Sequence, residues 1–265
     1  MNQSTSSVPL SVCLPTYNPG GYLVPAVRSV LEQDFQDMEV LVLDDASIIP
    51  VEQLLRDFVD SRLIVLRNEH NLGIPANWNR CIDLARGKYI AIFHQDDLML
   101  PGNLSQKVAL LEQNPTAGFV YSDIQRIDAA GEVIGGHYIP QPEQDIILPG
   151  CKLFEMVAST GDPVACPAVV ARSACYQSLG LFDTMLPYAT DLEMWMRIAA
   201  HYDVGFLAQP LIAHRIHAQQ EGARFSGTGR DYLDVWRALK IAYARQMPDE
   251  CAGYRRRPYR TLASQ

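Results

Sequence analysis

Two pairs of adjacent aspartates, Asp44-Asp45 and Asp96-Asp97, carry the clearest chemistry in this 265-residue sequence. The first closes the β-prone run Met38 to Leu43. The second follows Tyr89 to Phe93 after only His94 and Gln95. Neighbouring carboxylates repel one another, so such a pair is comfortable only with water, a base or a cation against it. A hard divalent cation, which prefers carboxylate oxygen, suits Asp96 and Asp97. A solvated turn is the competing reading, because Asp favours turns and Pro101-Gly102 follows closely.

The elements that must position these acids alternate along the chain. Leu10 to Leu14 reads as a short buried strand and leads into Pro15-Thr16-Tyr17-Asn18-Pro19-Gly20-Gly21, a loop dense in turn formers. Val24, Val27, Val30 and Leu31 then recur at helical spacing. The order repeats with a strand at Leu63 to Leu66 and a helix marked by Trp78, Cys81, Ile82 and Ala85. It continues through the Tyr89 strand, a helix with Leu104, Val108 and Leu111, and a strand at Phe119 to Asp123. Strands alternating with helices predict an α/β fold with a mainly parallel sheet covered on both faces. Ligands of such sheets bind beyond the carboxyl ends of the strands, where both Asp pairs and the Pro15–Asn18 loop fall.

A formal charge of -8 and a pI near 5.2 argue against nucleic-acid binding through a basic surface. An anionic ligand therefore needs a local device. The six cysteines form no C-x-x-C pair, and four lie in apolar stretches, which reads as a reduced, cytosolic protein. Met1 to Ser7 lacks the basic and apolar regions of a signal peptide, and no apolar run approaches a bilayer span. There is no P-loop, G-x-G-x-x-G or G-x-S-x-G.

Four segments, Ser11 to Asn18, Glu39 to Ser47, Asn68 to Gly73 and Gly87 to Asp97, resemble the nucleotide-binding half of a family 2 glycosyltransferase of the GT-A fold. The likeness runs on through Pro163 to Val170, Gly180 to Asp183, Asp191 to Trp195 and Arg215-Ile216-His217. It implies a flexible start at 1–7 and a GT-A domain over 8–218. That domain divides into a nucleotide-sugar-binding half, 8–123, and an acceptor-side half, 124–218; residues 219–265 supply a loop, an amphipathic helix and a basic tail.

The resemblance also implies roles. Pro15, Thr16, Tyr17 and Asp45, with Asp44 beside them, hold the base and ribose of a nucleotide-sugar, with UDP the expected nucleotide. An Asp can accept from the uracil imide and a Tyr ring can lie against the base; ordinary turn chemistry is the other account of this loop. Asp96 and Asp97 resemble the D-x-D element that binds Mg²⁺ or Mn²⁺ against the donor's phosphates. His94 stands where the common form has its first acid, which removes the ribose or first-ligand contact that acid would make and leaves Asp97 the firmer metal ligand. His217 matches an R-x-H element that closes over metal or diphosphate. Asp191 is the general base of inverting members. Against that, Thr190 and Glu193 have capping-box spacing, which places Asp191 in a first helical turn where the dipole lowers a carboxyl's pKa.

Some stretches carry less. His214 receives no role, and Asn77 and Asn79 read as a solvated helix face. The irregular stretch from Gly135 to Asp162 and the loop from Gln219 to Gly229 are expected to shape the acceptor site or act as a lid. Tyr232, Val235, Trp236, Leu239, Ile241 and Tyr243 predict a last amphipathic helix. Arg255-Arg256-Arg257 and Arg260 then offer either a peripheral contact with anionic lipid or a solvated tail. The expected enzyme moves a sugar to a saccharide or lipid-linked acceptor in surface-glycan assembly. Its rivals are a silent sugar-nucleotide binding protein and a nucleotidyltransferase, the latter lacking its basic, Gly-rich triphosphate loop.

Overall fold

The computed structural model describes residues 8–220 and 229–246. Its strands are β1 (Leu10–Thr16), β2 (Met38–Asp44), β3 (Leu63–Arg67), β4 (Tyr89–Ile92), β5 (Leu98–Met99), β6 (Ala117–Ile127), β7 (Val133–Gly136), β8 (Ile146–Leu148), β9 (Val169–Arg172) and β10 (Asp203–Arg215). The helices are α1 (Leu23–Leu31), α2 (Val51–Leu55), α3 (Ile74–Leu84), α4 (Asn103–Gln113), α5 (Gly150–Thr160), α6 (Ser173–Leu179), α7 (Thr190–Ala199) and α8 (Arg230–Ile241).

The sheet runs β3-β2-β1-β4-β9-β6-β10-β5, with β7 added beside β6 and β8 beside β10. Strands β1 to β4 are parallel, and so are β6 and β10. Between these groups β9 runs antiparallel to both neighbours, so the sheet is mixed, with its parallel pairs in the two groups. The register aligns Thr16 with Asp44 and Cys13 with Ile92, bringing the carboxyl ends of β1, β2 and β4 to one edge.

Alternation along the strands builds a core on each face. Leu10, Val12, Leu14, Val40, Val42, Tyr89, Ala91 and Phe93 pack with α1 and α4. Cys13, Leu41, Leu43, Ile90 and Ile92 pack with α3, α5 and α7. Strands apolar on both faces are the mark of a sheet covered on both sides. A methyl on Gly150 would stand 1.8 Å from the carbonyl oxygen of Ala199, so α5 can approach the end of α7 only with glycine there.

Two expectations change. The stretch expected to be irregular contains β8 and α5, and α5 buries Leu153, Phe154, Val157 and Ala158 at helical spacing. In α8 the buried stripe is Asp234, Ala238 and Leu239, with Val235 partly buried; Tyr232 and Trp236 are 55% and 40% exposed. Trp236 instead lies under the Lys240 ammonium, 5.0 Å from its ring centroid. Residues 221–228 of the acceptor loop and the arginine cluster at 255–260 lie outside the described residues.

Candidate active site

The carboxyl ends of β1, β2 and β4 open into a cleft of about 1150 Å³. Pro15, Thr16, Tyr17, Asn18, Asp45, Gln95 and Asp96 line it from the strand ends and the loops after them. Asp162, Asp191 and Leu192 line it as well, with Val235 and Leu239 of α8.

Asp45 organises the wall at the strand ends. Its Oδ1 accepts from Asn68 Nδ2 at 2.7 Å and from the Leu72 N–H at 2.9 Å, and its Oδ2 accepts from the Gly73 N–H at 3.0 Å. Gly73 has a φ of 82°, open to glycine, and precedes α3. A carboxylate offers about four acceptor sites, so three are occupied and about one faces a ligand.

Asn77 is not on a solvated face: it is buried, accepts from Asn68 at 2.9 Å and donates to the Leu43 carbonyl. Asn79 likewise clamps the Phe182 backbone through both its amide atoms. The Tyr17 backbone is clamped in turn by Gln95, whose Oε1 takes the Tyr17 N–H and whose Nε2 donates to the Tyr17 carbonyl.

Asp44 does different work. It is buried, accepts from the N–H groups of Ser47 and Val51, and pairs with Arg67. These bonds hold the turn at Ala46, whose φ is 60°. Asp44 does not line the cleft; it shapes the loop behind Asp45, and Asn18 ties into that loop through Ser47 Oγ and the Ile48 N–H. The Thr16 hydroxyl donates to the Leu14 carbonyl, so its oxygen keeps both acceptor lone pairs.

The second pair also divides its labour. Asp97 is fully buried; its Oδ1 accepts from the Arg215 N–H at 2.8 Å, and His214 Nδ1 lies 3.2 Å from the same oxygen. Burial pushes the Asp97 carboxyl up, but His214, His94 and the Arg215 N–H together hold it below the ordinary carboxylate range. Asp96 lines the cleft, with His217 Nε2 2.8 Å from its Oδ2. Of the two, Asp96 is among the residues that line the cleft and Asp97 is not.

Ligand atoms of His94, Asp96 and Asp97 lie within 4.8 Å of one another. His94 Nε2 is buried with no hydrogen-bond partner. His94 Nδ1 stands 3.6 Å from Asp97 Oδ2, and an imidazole grouped with two carboxylates fits a divalent cation that accepts oxygen and nitrogen, such as Mn²⁺.

Asp191 is the second residue of α7. No capping box forms: the N-cap is Ala189, the Thr190 hydroxyl donates to the Asp183 carbonyl, and Glu193 pairs with Arg197. Burial pushes the Asp191 carboxyl above its ordinary range against the Leu192 N–H and the His94 charge, which reverses the lowering expected from the helix dipole. His94, Gln95, Asp162 and His214 were not singled out as site residues. All four stand in or beside the matching segments, but a hydrogen-bond clamp such as Gln95 has no local signature of its own.

The family model described as "Glycosyl transferase family 2" matches residues 11–148. "Uncharacterized glycosyltransferase MJ1057" of Methanocaldococcus jannaschii is 30% identical over 212 residues, spanning 78% of this chain and 70% of the relative. "Putative colanic acid biosynthesis glycosyl transferase WcaA" of Escherichia coli is 29% identical over 199 residues, spanning 73% and 67%. The structure of S. aureus TarS 1-349 in complex with UDP-GlcNAc superposes with a TM-score of 0.73 at 19% identity, covering 93% of this chain and 69% of that one. Fold and cleft define a glycosyltransferase of GT-A architecture. The chain belongs to glycosyl transferase family 2. Among the described residues no helix is long and apolar enough to cross a membrane.

Proposed function

We propose that the chain is an inverting, metal-dependent glycosyltransferase that moves a sugar from a UDP-linked donor to a saccharide or lipid-linked acceptor. The observation that carries this reading is that one cleft is lined by Asp45 and Asp96 and also by Asp191. Asp45 has an acceptor site left for the uracil imide, and the Gln95 clamp fixes the loop on which Tyr17 meets the base. Asp96, with His94, Asp97 and His217 around it, would hold Mn²⁺ or Mg²⁺ against the diphosphate. When bound, such an ion neutralises charge on the departing nucleoside diphosphate.

Asp191 supplies the base. As an ionised carboxylate it takes the acceptor hydroxyl's proton while that oxygen bonds to the anomeric carbon. The bond from that carbon to the diphosphate oxygen breaks, and its electron pair leaves with the nucleotide. Attack from the side of Asp191, opposite the diphosphate, inverts the anomeric centre. A carboxyl raised by burial is a better base near neutral pH than an exposed one.

The apolar side chains of the cleft, Val157, Val164, Leu192, Val235 and Leu239, suit an acceptor with a lipid portion. They also make α8 part of the site, so residues 219–265 extend the 8–218 domain functionally. The similarity to WcaA, named for colanic acid biosynthesis, supports polysaccharide assembly as the setting. Peripheral contact on the cytoplasmic face of a membrane through the arginine tail belongs to the same proposal.

The test is UDP release from a panel of UDP-sugars with Mn²⁺ present. Turnover by the wild type and its loss in Asp191→Asn, with UDP binding intact, supports the reading. Binding without turnover on any sugar would favour the silent sugar-nucleotide binder.

A further inference from the structure

Asp191 has another acid within electrostatic reach. Asp162, directly after the α5 C-cap glycine Gly161, lines the same space. Its Oδ1 accepts from the Val164 N–H at 2.9 Å. Among the described residues no hydrogen bond or ion pair takes its Oδ2, and neither Asp162 nor Asp191 has an Arg or Lys partner. Thr190, beside Asp191, is neutral, and its hydroxyl is committed to Asp183. The second acid therefore comes from a different element.

Two carboxyl groups sharing a shielded space without a cation cannot both be ionised cheaply. We propose that Asp162 is a positioning residue of the acceptor site: it carries a proton as a neutral carboxylic acid, leaves Asp191 ionised, and offers its Oδ2–H to an acceptor hydroxyl. The acceptor part of this inference rests on the function proposed above; the location of the proton does not.

Electrostatics agree with the geometry. Burial, and next the Asp191 charge, push the Asp162 carboxyl up to about 8. The groups facing it are acidic or neutral: Asp191 from α7, the Cys166 thiol from the turn before β9, and the Tyr121 phenol from β6. The nearest imidazole influence, from His94, falls on Asp191 and favours ionisation there.

An infrared pH titration of the full chain, with ¹³C-labelled Asp, locates the proton without any substrate. The wild type should have a protonated-carboxyl C=O band at pH 7 that titrates away near pH 8. Asp162→Asn should lack that band, and Asp191→Asn should move its midpoint to lower pH by removing the neighbouring charge. A band that survives Asp162→Asn, or no band in the folded wild type at pH 7, overturns the proposal.

A second readout is UDP release from UDP-GlcNAc with water as acceptor, followed against pH. The wild-type rate should fall above pH 8 and Asp162→Asn should lose that alkaline limb. An alkaline limb unchanged in Asp162→Asn also overturns the proposal. Failure of the wild type to bind UDP by calorimetry would instead sink the donor-site reading and leave the infrared result standing.

Discussion

The Asp97 carboxylate accepts the backbone N–H of Arg215 at 2.8 Å, 118 residues away in sequence, while the Arg215 guanidinium Nε donates to the Asp96 carbonyl at the same distance. This two-way tie fixes the acidic strand end to the end of β10. It holds Asp97 buried beneath the cleft and leaves Asp96 lining it.

Asp97→Ala should therefore lose stability, by on the order of 3–5 kcal/mol for breaking a buried, charge-assisted network. Asp96→Ala should unfold within a degree or two of the wild type, because Asp96 is less buried and pairs mainly with His217. Thermal denaturation of the two variants separates them. Equal losses would mean that both acids are structural.

Asp45→Ala leaves three donors, from Asn68, Leu72 and Gly73, without their common acceptor. The expected cost is about 2–4 kcal/mol, together with weaker UDP binding. Asp45→Asn keeps the shape but loses the charge and should retain more stability than Asp45→Ala. Chemical denaturation measures the first effect and calorimetry the second.

Burial of Asp162 sets a pH dependence with a definite sign. Its folded pKa, about 8, lies above the ordinary 3.8, so the folded chain holds a proton that the unfolded chain has released across that window. Stability contributed by this group is fully present below about pH 4 and is lost as pH rises toward 8. Asp162→Asn should flatten the decline, and its stability relative to the wild type should rise steadily from pH 5 to pH 8. A difference independent of pH would count against a buried acid there.

Lys107 gives the opposite slope. It is fully buried on α4 with one hydrogen bond, to Asn103, and burial pushes its pKa well below the ordinary value. The unfolded chain then binds the extra proton, so wild-type stability rises with pH toward about 10. Lys107→Met should remove that slope in denaturation curves taken from pH 7 to 9. An unchanged slope would place the titration elsewhere.

Much of this arrangement was legible in the sequence because it lies in local patterns. The runs before Asp44 and Asp96 announced strands, and their parallel register brought the Pro15 loop, Asp45 and Asp96 to one edge as expected. The division of labour within each Asp pair was not legible. Whether Asp44 or Asp45 faces the cleft depends on Arg67 and on the N–H groups of Ser47 and Val51, and Asp97 depends on Arg215. The Asp191 shift went the other way because tertiary burial outweighed the helix dipole that the local spacing suggested. Asp162 carries no motif, and it becomes a site residue only because α5, hidden in a Pro- and Gln-rich stretch, delivers it to the cleft.

The central claim is that a nucleoside diphosphate binds at the strand end with a divalent ion at Asp96. Calorimetric titration of UDP with and without Mn²⁺, on the wild type and on Asp96→Ala, tests it most directly. The account predicts binding that strengthens at least about tenfold with Mn²⁺, a gain of roughly 1.4 kcal/mol, and a folded Asp96→Ala variant that loses this gain. UDP binding that is equally tight without metal, or that survives Asp96→Ala unchanged, would contradict it.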